Sequence, residues 1–472
     1  MTKAYLTRDI QLTLSIHSSS SQLSTTELEM LTKPVPRYTS YPPVPAWNHH
    51  ITEPSVNTAI SAIGDSGEAC ALYLHIPFCR SQCWYCGCNT VIRKSNTSAD
   101  PYIDALVTEI ELIAEASPKR ISVNEIHWGG GTPNFLDSNQ ITTIITALNK
   151  HFDLLGDCAF SVECDPRTLT EDHLLTFSTQ GAKRLSLGIQ DFNAKVQKAI
   201  NRIQPFEMVE QLTNSARKQG FESINFDLIV GLPHQTEASF FKTVQQAISL
   251  RPERIALFNF AYLPEQRKHM RLIKAETLPT SHTRLECVFI ARTSLLEAGY
   301  VEIGLDHFAL PSDELAMAAK NNSLYRNFMG FTPNTSPHVI GLGMSSISES
   351  SSDFWQNTKE LDTYLQALSE RRLPLSGGHK KSQDDQERAW IIQHLMCRLE
   401  LNYAEFFSVF KTHPKEIFPE AFEKLQNEIP AHFYTEHEHG LKIHNDYKLY
   451  SRLIASCFDA RSTASNPMSK SL

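Results

Sequence analysis

Long apolar runs are missing from this sequence. No window approaches the unbroken stretch of about 20 apolar residues that a membrane-spanning helix needs. The first residues, "MTKAYLTRDIQLTLSIHSSSSQLS", also lack a compact hydrophobic region followed by a small-residue cleavage site. These two absences argue against a membrane span and a secretory signal, so we expect a cytoplasmic protein.

An excess of positive charge is missing as well. The 472 residues carry a net charge of -8 at pH 7, which argues against nucleic-acid binding as the main role. Any anionic ligand must then be met by a local group of arginine or lysine side chains. Apolar residues make up 41% and charged residues 20% of the chain, as expected for a soluble globular protein.

Cysteines are sparse outside one short stretch. Four of the ten lie in "CRSQCWYCGC", residues 79–88, while Cys70 precedes this stretch and the others are scattered. One tight group in a long chain does not indicate a secreted disulfide scaffold. Four of the scattered cysteines are interpreted as small buried hydrophobic residues: Cys158, Cys287, Cys397 and Cys457.

Strand-like and helix-like stretches alternate from residue 70 onward, about every 30 residues. At least six such units precede residue 350, and the alternation predicts right-handed βαβ units around a parallel sheet. Side chains that converge on one face are typical of barrel active sites. We therefore predict an α/β fold with a partial or full (β/α) barrel of about six units. The predicted strands end in polar or glycine residues: the cysteines, Gly129 to Thr132, Glu163, Gln190 and Asp227.

Composition divides the chain into four parts. Residues 1–69 form an amino-terminal extension and a proline-rich lead-in, where "KPVPRYTSYPPVPAW" cannot form a regular helix or a central strand. Residues 70–350 form the predicted barrel. The polar residues 351–388, with their proline and glycines, are interpreted as a linker. Residues 389–472 are predicted to form a smaller, mostly helical domain with a disordered tail.

Cys79, Cys83 and Cys86 present three thiols within eight residues, directly after the first predicted strand. A redox dithiol needs only the last two of them, and a structural zinc site usually joins two separated cysteine pairs. An iron–sulphur cluster tolerates tight spacing because its ligands bind different iron atoms. Three cysteines for four irons leave one iron open, and we favour this cluster over the dithiol and the zinc site.

The residues at the later strand ends suit a bound cofactor. Gly129, Gly130 and Gly131 remove side chains, so that backbone groups can approach a ligand. A helix cap is the alternative for Asp227, and a solvated surface is the alternative for Arg202. Four residues can hydrogen-bond ribose hydroxyls or pair with ligand charges: Glu163, Gln190, Arg202 and Asp227.

Several motifs together resemble a known family. The cysteine spacing, with an aromatic residue before the third cysteine, is similar to that of radical S-adenosylmethionine enzymes. The whole series resembles the oxygen-independent coproporphyrinogen III oxidases of haem biosynthesis from about residue 36 to about residue 459. The early "PRYTSYP" and Cys88 are its more discriminating parts. The other motifs include "HWGGGTP", "VECDPR", "LSLGIQDFN", "NFDLIVGLP" and "GLGMSSIS".

The resemblance implies that Cys79, Cys83 and Cys86 hold a [4Fe–4S] cluster, with Cys88 required but not a ligand. Cys88 and Tyr73 would then be catalytic residues. The resemblance also implies two bound S-adenosylmethionine molecules, contacted by Tyr73, Tyr85, Gly130, Gly131, Thr132, Glu163, Gln190, Arg202, Asp227, Ala261 and Ile347.

The implied reaction is the oxidative decarboxylation of two propionates of coproporphyrinogen III to vinyl groups, which gives protoporphyrinogen IX. A radical from S-adenosylmethionine removes a hydrogen atom from the propionate, one electron passes to an unidentified acceptor, and carbon dioxide leaves. The resemblance also implies an electron donor of the flavodoxin or ferredoxin type. We expect a monomer that binds no nucleic acid and has no membrane span.

Four residues depart from the family pattern, and all lie in its substrate-side region. Leu310 stands where arginine is frequent, and Pro333 replaces a threonine. Met329 and Phe331 stand where glutamine and tyrosine are usual. The alternative function is therefore that of a paralogue that acts on another tetrapyrrole or serves as a haem chaperone.

Residues of the lead-in are candidates for the substrate side of the site. Arg37, Tyr38 and Tyr41 are expected to close over the barrel mouth and meet substrate carboxylates. The alternative is that Arg37 only packs the lead-in against the barrel. His75 and His307 are candidates for relaying protons, and for His307 a structural role is favoured.

Overall fold

The computed structural model describes residues 24–31, 33–47, 51–333 and 336–461. The predicted disordered tail and most of the amino-terminal extension lie outside these described residues. Within them, no helix combines the length and the apolar character that crossing a membrane would require.

Strands form one large sheet and three small ones. In chain order, those of the described residues are β1 (Cys70–Ile76), β2 (Phe78–Cys79), β3 (Val91–Ile92), β4 (Ser122–Gly130), β5 (Asp153–Cys164), β6 (Arg184–Gln190), β7 (Ser223–Val230), β8 (Arg254–Asn259), β9 (Val301–Glu302), β10 (His307–Ala309), β11 (Tyr325–Asn327), β12 (Gly330–Thr332), β13 (Val339–Leu342), β14 (Ile347–Glu349), β15 (Asp353–Asn357), β16 (Leu375–Lys380), β17 (Glu400–Asn402), β18 (Tyr434–His437) and β19 (Gly440–Ile443).

Helices alternate with the strands of the large sheet and dominate the carboxyl-terminal part. The α-helices of the described residues are α1 (Thr25–Leu31), α2 (Glu53–Ser66), α3 (Asp100–Glu115), α4 (Ser138–His151), α5 (Glu171–Thr179), α6 (Ala194–Ala199), α7 (Phe206–Lys218), α8 (Glu237–Leu250), α9 (Ser281–Glu297), α10 (Glu314–Lys320), α11 (Leu361–Ser369), α12 (Gln383–Arg398), α13 (Tyr403–Phe410), α14 (Pro414–Ile417), α15 (Pro419–Glu428) and α16 (Ser451–Ala455).

Six parallel strands, β1, β4, β5, β6, β7 and β8, lie side by side in that order. Each is followed in the chain by at least one helix, so these strands form six βα units. Strand β13 pairs parallel with the free edge of β1, and β10 pairs antiparallel with β8. The pairing order starts at β16 and ends at β9 without closing. The predicted α/β fold with a partial barrel of about six units is confirmed.

Burial explains why the chain alternates in this way. Strand β1, "CALYLHI", is buried along almost its whole length, as expected for a parallel strand that is covered on both faces. Helix α4 begins at a capping box, in which the Asp137 side chain accepts from the Gln140 backbone and Gln140 reciprocates. Its isoleucines then pack into the same core as Trp128 of β4. The carboxyl ends of the parallel strands therefore lie along one edge of a rigid sheet.

The interpretation of residues 351–388 as a linker is wrong. They form β15, α11, β16 and the start of α12, and the two strands extend the large sheet beyond β14. The glycines that suggested a linker have a structural reason, because a Cβ on Gly378 would collide with the carbonyl oxygen of Phe354. Gly378 therefore allows the two backbones to approach closely within the sheet.

The lead-in packs against the carboxyl-terminal domain. Tyr38 donates to Asp459 over 3.0 Å, and the hydroxyl of Tyr41 accepts from the backbone of Ala460 over 3.0 Å. Arg452 donates to the backbone carbonyls of the lead-in, at Val35 over 2.6 Å. This domain is helical but also contains the antiparallel sheet β17-β19-β18. The two tyrosine hydroxyls therefore bind the carboxyl-terminal segment, contrary to the expectation that they close over the barrel mouth.

Candidate functional site

The cysteine loop leaves the end of β1 and is held at both of its ends. Strands β2 and β3 pair in parallel, which aligns Cys79 with Ile92. Between them, the backbone of Cys86 donates to the carbonyl of Cys83 over 3.2 Å, so the chain turns tightly between these two cysteines. His269, from the segment after β8, contacts the carbonyl of Cys86 at 2.7 Å. The loop therefore presents its thiols from a fixed backbone.

The three cysteines line one cavity of about 230 Å³ at the carboxyl ends of the parallel strands. Among the described residues, Tyr73, Ala261 and Ile347 are not part of this lining. The sequence-predicted residues that the structure brings together around the cavity are Cys79, Cys83, Tyr85, Cys86, Cys88, Gly130, Gly131, Thr132, Glu163, Gln190, Arg202 and Asp227.

Two arginines point at the sulphur of Cys83. Nη2 of Arg167 lies 3.2 Å from this Sγ, and Nη1 of Arg202 lies 3.5 Å from it. Both guanidinium groups also pair with Asp165, at 2.6 Å and 3.3 Å. Burial acts to raise the pKa of Asp165, but the two arginines outweigh it and hold the pKa at about 2. The ionised Asp165 thus fixes two positive charges beside a cysteine sulphur.

Arg202 is buried and reaches the sheet, so the alternative of a solvated surface residue is wrong. Its Nη2 donates to the carbonyl of Gly188 over 2.7 Å. Asp165 and Arg167 are residues of the site that the sequence patterns did not predict. Both lie in the motif "VECDPR" directly after β5. The sequence feature that could have identified them is an acidic and a basic residue two positions apart at the end of a strand.

Cys88 lies next to Cys86 in the cavity lining. A hydrogen bond from Cys88 is the main cause that lowers the pKa of Cys86 to about 7. The same contact raises the pKa of Cys88 well above its ordinary value. The Cys88 thiol therefore stays protonated and favours a thiolate at its neighbour.

The glycines after β4 allow close approach between protein segments. Gly130 has a φ of +113°, a conformation that favours glycine, and a Cβ there would lie 2.7 Å from the ring of His75. A Cβ on Gly131 would collide with the carbonyl of Pro77. The hydroxyl of Thr132 accepts from the backbone of Asp165 over 3.0 Å. These residues thus fasten the end of β4 to the cysteine loop and to β5.

The pKa values of two carboxylates in the cavity are shifted in opposite directions. Burial acts to raise the pKa of Glu163, but a 3.1 Å contact with Nε2 of His127 reverses this effect and lowers it. Burial, with the charge of Glu163, raises the pKa of Asp227 to about 6. Asp227 lies within β7 and accepts from Asn225 over 2.8 Å, so it is not a helix cap. Carboxylates with separated pKa values are typical of functional sites.

Tyr73 and His75 form the layer beneath this lining. The hydroxyl of Tyr73 lies 3.0 Å from Nδ1 of His75, and its ring stacks on that of His127. Nε2 of His75 contacts the carbonyl of Asn89 at 2.9 Å. Both ring nitrogens of His75 are engaged, and burial lowers its pKa. His75 is therefore a structural histidine that ties β1 to the cysteine loop.

Comparisons with known proteins agree with this geometry. Residues 73–247 match the family model of the Radical SAM superfamily. The chain is 39% identical to an oxygen-independent coproporphyrinogen III oxidase of Synechocystis over 80% of this chain and 81% of that one. It is 38% identical to the protein of the same name from Helicobacter pylori, over 91% and 94%.

The chain belongs to the oxygen-independent coproporphyrinogen III oxidase family. A solved structure of the coproporphyrinogen III oxidase HemN from Escherichia coli has a TM-score of 0.87 and 36% identity to this chain, over 90% of this chain and 97% of that one. The predicted family is confirmed, and membership in it rules out an unrelated protein built on a zinc site or a redox dithiol.

Residues that depart from the family pattern lie outside the cysteine cavity, at the hairpin β11–β12 and near β10. The ring of Phe331 fills the space left by Gly304 and packs edge-on against His307 at 5.4 Å. Leu310 is buried. Met329 lies in the hairpin turn, where its backbone donates to Asn327 over 2.9 Å. Pro333 directly follows β12. None of these four residues lines the cysteine cavity among the described residues.

His307 and Arg37 connect this region to the cavity. Nδ1 of His307 lies 2.6 Å from Asp306, and its ring packs edge-on against Phe258 at 5.9 Å. The guanidinium of Arg37 lies 5.7 Å from the centre of the same Phe258 ring, and Phe258 lines the cysteine cavity. Arg37 is therefore the lead-in residue that approaches the candidate site.

Proposed function

We propose that this chain carries out the oxygen-independent oxidative decarboxylation of coproporphyrinogen III to protoporphyrinogen IX in haem biosynthesis. The observation that carries the proposal is the group of three cysteines on one loop at the carboxyl ends of the barrel strands, in a chain of this family. When bound, a [4Fe–4S] cluster and S-adenosylmethionine supply a radical that removes a hydrogen atom from the substrate.

Cys79, Cys83 and Cys86 would hold the cluster. Their sulphurs suit iron, and the positive charges of Arg167 and Arg202 beside Cys83 offset the negative charge that thiolates and cluster bring into a buried place. Cys88 hydrogen-bonds Cys86 and is proposed to act at the substrate instead of at iron. Tyr73 is proposed to assist it from the layer below.

The cavity lining would bind S-adenosylmethionine. Glu163 and Asp227 offer acceptors for ribose hydroxyls, and their negative charge suits the sulphonium. Two propionates each lose one hydrogen atom, so each turnover needs two cleavages, which supports the proposal of two S-adenosylmethionine molecules. Of the residues expected to contact them, Tyr73, Ala261 and Ile347 would have to do so from outside this lining.

An acidic one-electron carrier of the flavodoxin or ferredoxin type is proposed as the donor. Three segments of the chain lie together here: the cysteine loop, the segment that contains Ile200 and the segment that contains His269. The backbone of Trp84 donates to Ile200 over 3.0 Å, and His269 contacts Cys86. These segments carry a basic rim, which in a chain of net charge -8 would attract an acidic partner. The basic rim consists of Arg80, Arg93, Lys94, Lys195, Lys198, Arg267, Lys268, Arg271 and Lys274.

A cytoplasmic location completes the proposal. All ten cysteines are unpaired, as expected in a compartment that keeps thiols reduced. We propose a monomer that passes the remaining electron of each propionate to an acceptor still to be identified.

Anaerobic turnover tests the function. The reconstituted chain would be incubated with coproporphyrinogen III, S-adenosylmethionine and a reductant, and the tetrapyrroles would be separated by chromatography. Protoporphyrinogen IX is the expected product. Formation of 5′-deoxyadenosine without any tetrapyrrole product would overturn the substrate and favour the paralogue or haem-chaperone alternative.

A further inference from the structure

A buried arginine outside the cysteine cavity has two nitrogen atoms that make no hydrogen bond within the described residues. Arg326 lies on β11 and is only 6% exposed. Its Nε and Nη1 are buried and have no hydrogen-bond partner in the part of the chain that the structure describes. A buried guanidinium in this state costs free energy, and such groups are normally paired. Burial lowers the pKa of Arg326 from its ordinary value. The position therefore suits an anionic partner beyond those that the described residues supply.

The acidic residue that interacts with Arg326 does not supply this partner. Asp306 is held by His307 at 2.6 Å and feels both Arg326 and Arg37. These three neighbours outweigh the effect of burial and keep the pKa of Asp306 far below its ordinary value. One carboxylate thus faces two arginines, which leaves positive charge in excess.

Arg326 lines a second cavity of about 390 Å³, between the lead-in, the hairpin β11–β12 and α12. Other cations of this lining are already paired. Lys381 lies 2.7 Å from Glu349, and Arg398 lies 3.1 Å from Glu405. The walls are rich in aromatic side chains, namely Tyr38, Tyr41, Tyr325 and Trp390. Such a cavity fits a carboxylate carried on an apolar or aromatic body.

Aromatic contacts connect Arg326 to the cysteine cavity. The guanidinium of Arg326 lies 4.5 Å from the centre of the Phe331 ring. Phe331 contacts His307, and His307 contacts Phe258, which lines the cysteine cavity. A chain of three rings, Phe331, His307 and Phe258, therefore lies between Arg326 and the cysteine cavity. A ligand with several carboxylate arms around a large apolar body is suited to such an arrangement.

We propose that Arg326 binds a propionate of the tetrapyrrole that does not react, and so anchors the substrate while another propionate faces the radical site. This inference rests on the proposed function, in which two of the four propionates keep their charge throughout. A guanidinium donates charge-assisted hydrogen bonds to such a carboxylate, and Nε and Nη1 of Arg326 are donors that the described residues leave unused. Arg37 adds positive charge on the same side.

An anchor of this kind acts on substrate and product alike. The charge that it binds does not change during the reaction, so its loss weakens binding in the ground state and the transition state together. Replacement of Arg326 should therefore raise KM by more than it lowers kcat.

Binding of coproporphyrin III to the reconstituted holoenzyme tests the proposal without turnover. This oxidised, unreactive compound has the same four propionates, and its fluorescence reports binding. Arg326→Gln should weaken its binding at least about tenfold, the change expected when a charged hydrogen bond is lost. The tetramethyl ester, which has no charge, should bind the wild type and Arg326→Gln equally. Arg326→Lys should recover part of the affinity for the acid.

Arg292→Gln is the matched control, because it removes an arginine that pairs with Glu302 and is not part of either cavity lining. It should leave both affinities unchanged. Equal affinity of wild type and Arg326→Gln for the acid would overturn the proposal. Equal weakening of acid and ester would overturn it too, since it would indicate a packing defect. Failure of turnover with intact, Arg326-dependent acid binding would instead contradict the proposed function alone.

Discussion

Nη2 of Arg167 lies 3.2 Å from Sγ of Cys83, and Asp165 holds the guanidinium in place from the other side at 2.6 Å. This contact puts a fixed positive charge beside a proposed cluster ligand. Net charge near an iron–sulphur cluster is one of the factors that set its reduction potential. The arginine therefore has an electrostatic role that can be measured.

Arg167→Gln should make the reduction potential of the cluster more negative. Loss of the nearby positive charge favours the oxidised cluster, whose net charge is less negative than that of the reduced one. A redox titration followed by electron paramagnetic resonance measures this shift. Lys183→Gln removes a surface charge that pairs with Glu222 and should leave the potential unchanged. An unchanged or higher potential in Arg167→Gln would contradict the assigned role.

Cys88→Ser should retain the cluster and lose turnover. Its thiol hydrogen-bonds Cys86 but is proposed not to bind iron, so iron and sulphide contents should match those of the wild type. Cys83→Ser is the comparison variant and should lose most of the cluster. If Cys88→Ser loses iron to the same degree, Cys88 belongs among the ligands.

Binding of S-adenosylmethionine should strengthen as the pH rises through about 6. Burial and the charge of Glu163 raise the pKa of Asp227 to about 6, while His307 and the hydrogen bond from Asn225 act in the opposite direction. Below this pH Asp227 is neutral, and above it the carboxylate attracts the sulphonium and accepts from ribose hydroxyls. Calorimetric titrations between about pH 5 and 7.5 measure the step.

Asp227→Asn provides the control for this pH dependence. The amide keeps the shape of the side chain but does not ionise, so the step near pH 6 should disappear. A step of the same size in the variant would assign the titration to another group.

Replacement of basic-rim residues should slow electron transfer from an acidic protein donor but not from a small reductant. The double variant Lys195→Glu/Lys198→Glu reverses two charges on α6 and should reduce the rate of cluster reduction by flavodoxin at least about tenfold at low salt. Reduction by dithionite, a small reductant that needs no docking, should stay within about twofold. Stopped-flow absorbance measures both rates.

Two controls accompany this experiment. Lys218→Glu/Lys242→Glu makes the same charge change on α7 and α8, outside the basic rim, and should leave both rates unchanged. Raised salt should slow the wild type more than the rim variant, because it screens the attraction. An equal loss with both reductants would point to damage of the cluster and not to docking.

The sequence predicted those parts of the molecule that depend on local pattern. The βα alternation and the cysteine spacing are local, and the structure places these cysteines together with Glu163 and Asp227 around one cavity. The interpretation of residues 351–388 is wrong because Gly378 serves close strand packing, which depends on Phe354 across the sheet.

Long-range partners were the part that the sequence could not supply. The sequence left two interpretations of Arg202 open, a surface residue and a site residue. Its burial depends on Gly188 and Asp165, which lie far from it in the chain. The lack of hydrogen bonds at Nε and Nη1 of Arg326 within the described residues likewise depends on how the hairpin β11–β12 packs against the lead-in and α12. Spacing alone carries no information on such contacts.

Transfer of deuterium tests the central claim most directly. Coproporphyrinogen III labelled with deuterium on the propionate carbon next to the ring would be incubated anaerobically with the reconstituted chain, S-adenosylmethionine and a reductant. The label should appear in 5′-deoxyadenosine, with two labelled molecules for each protoporphyrinogen IX. Unlabelled 5′-deoxyadenosine, or labelled substrate that is recovered intact, would contradict this claim.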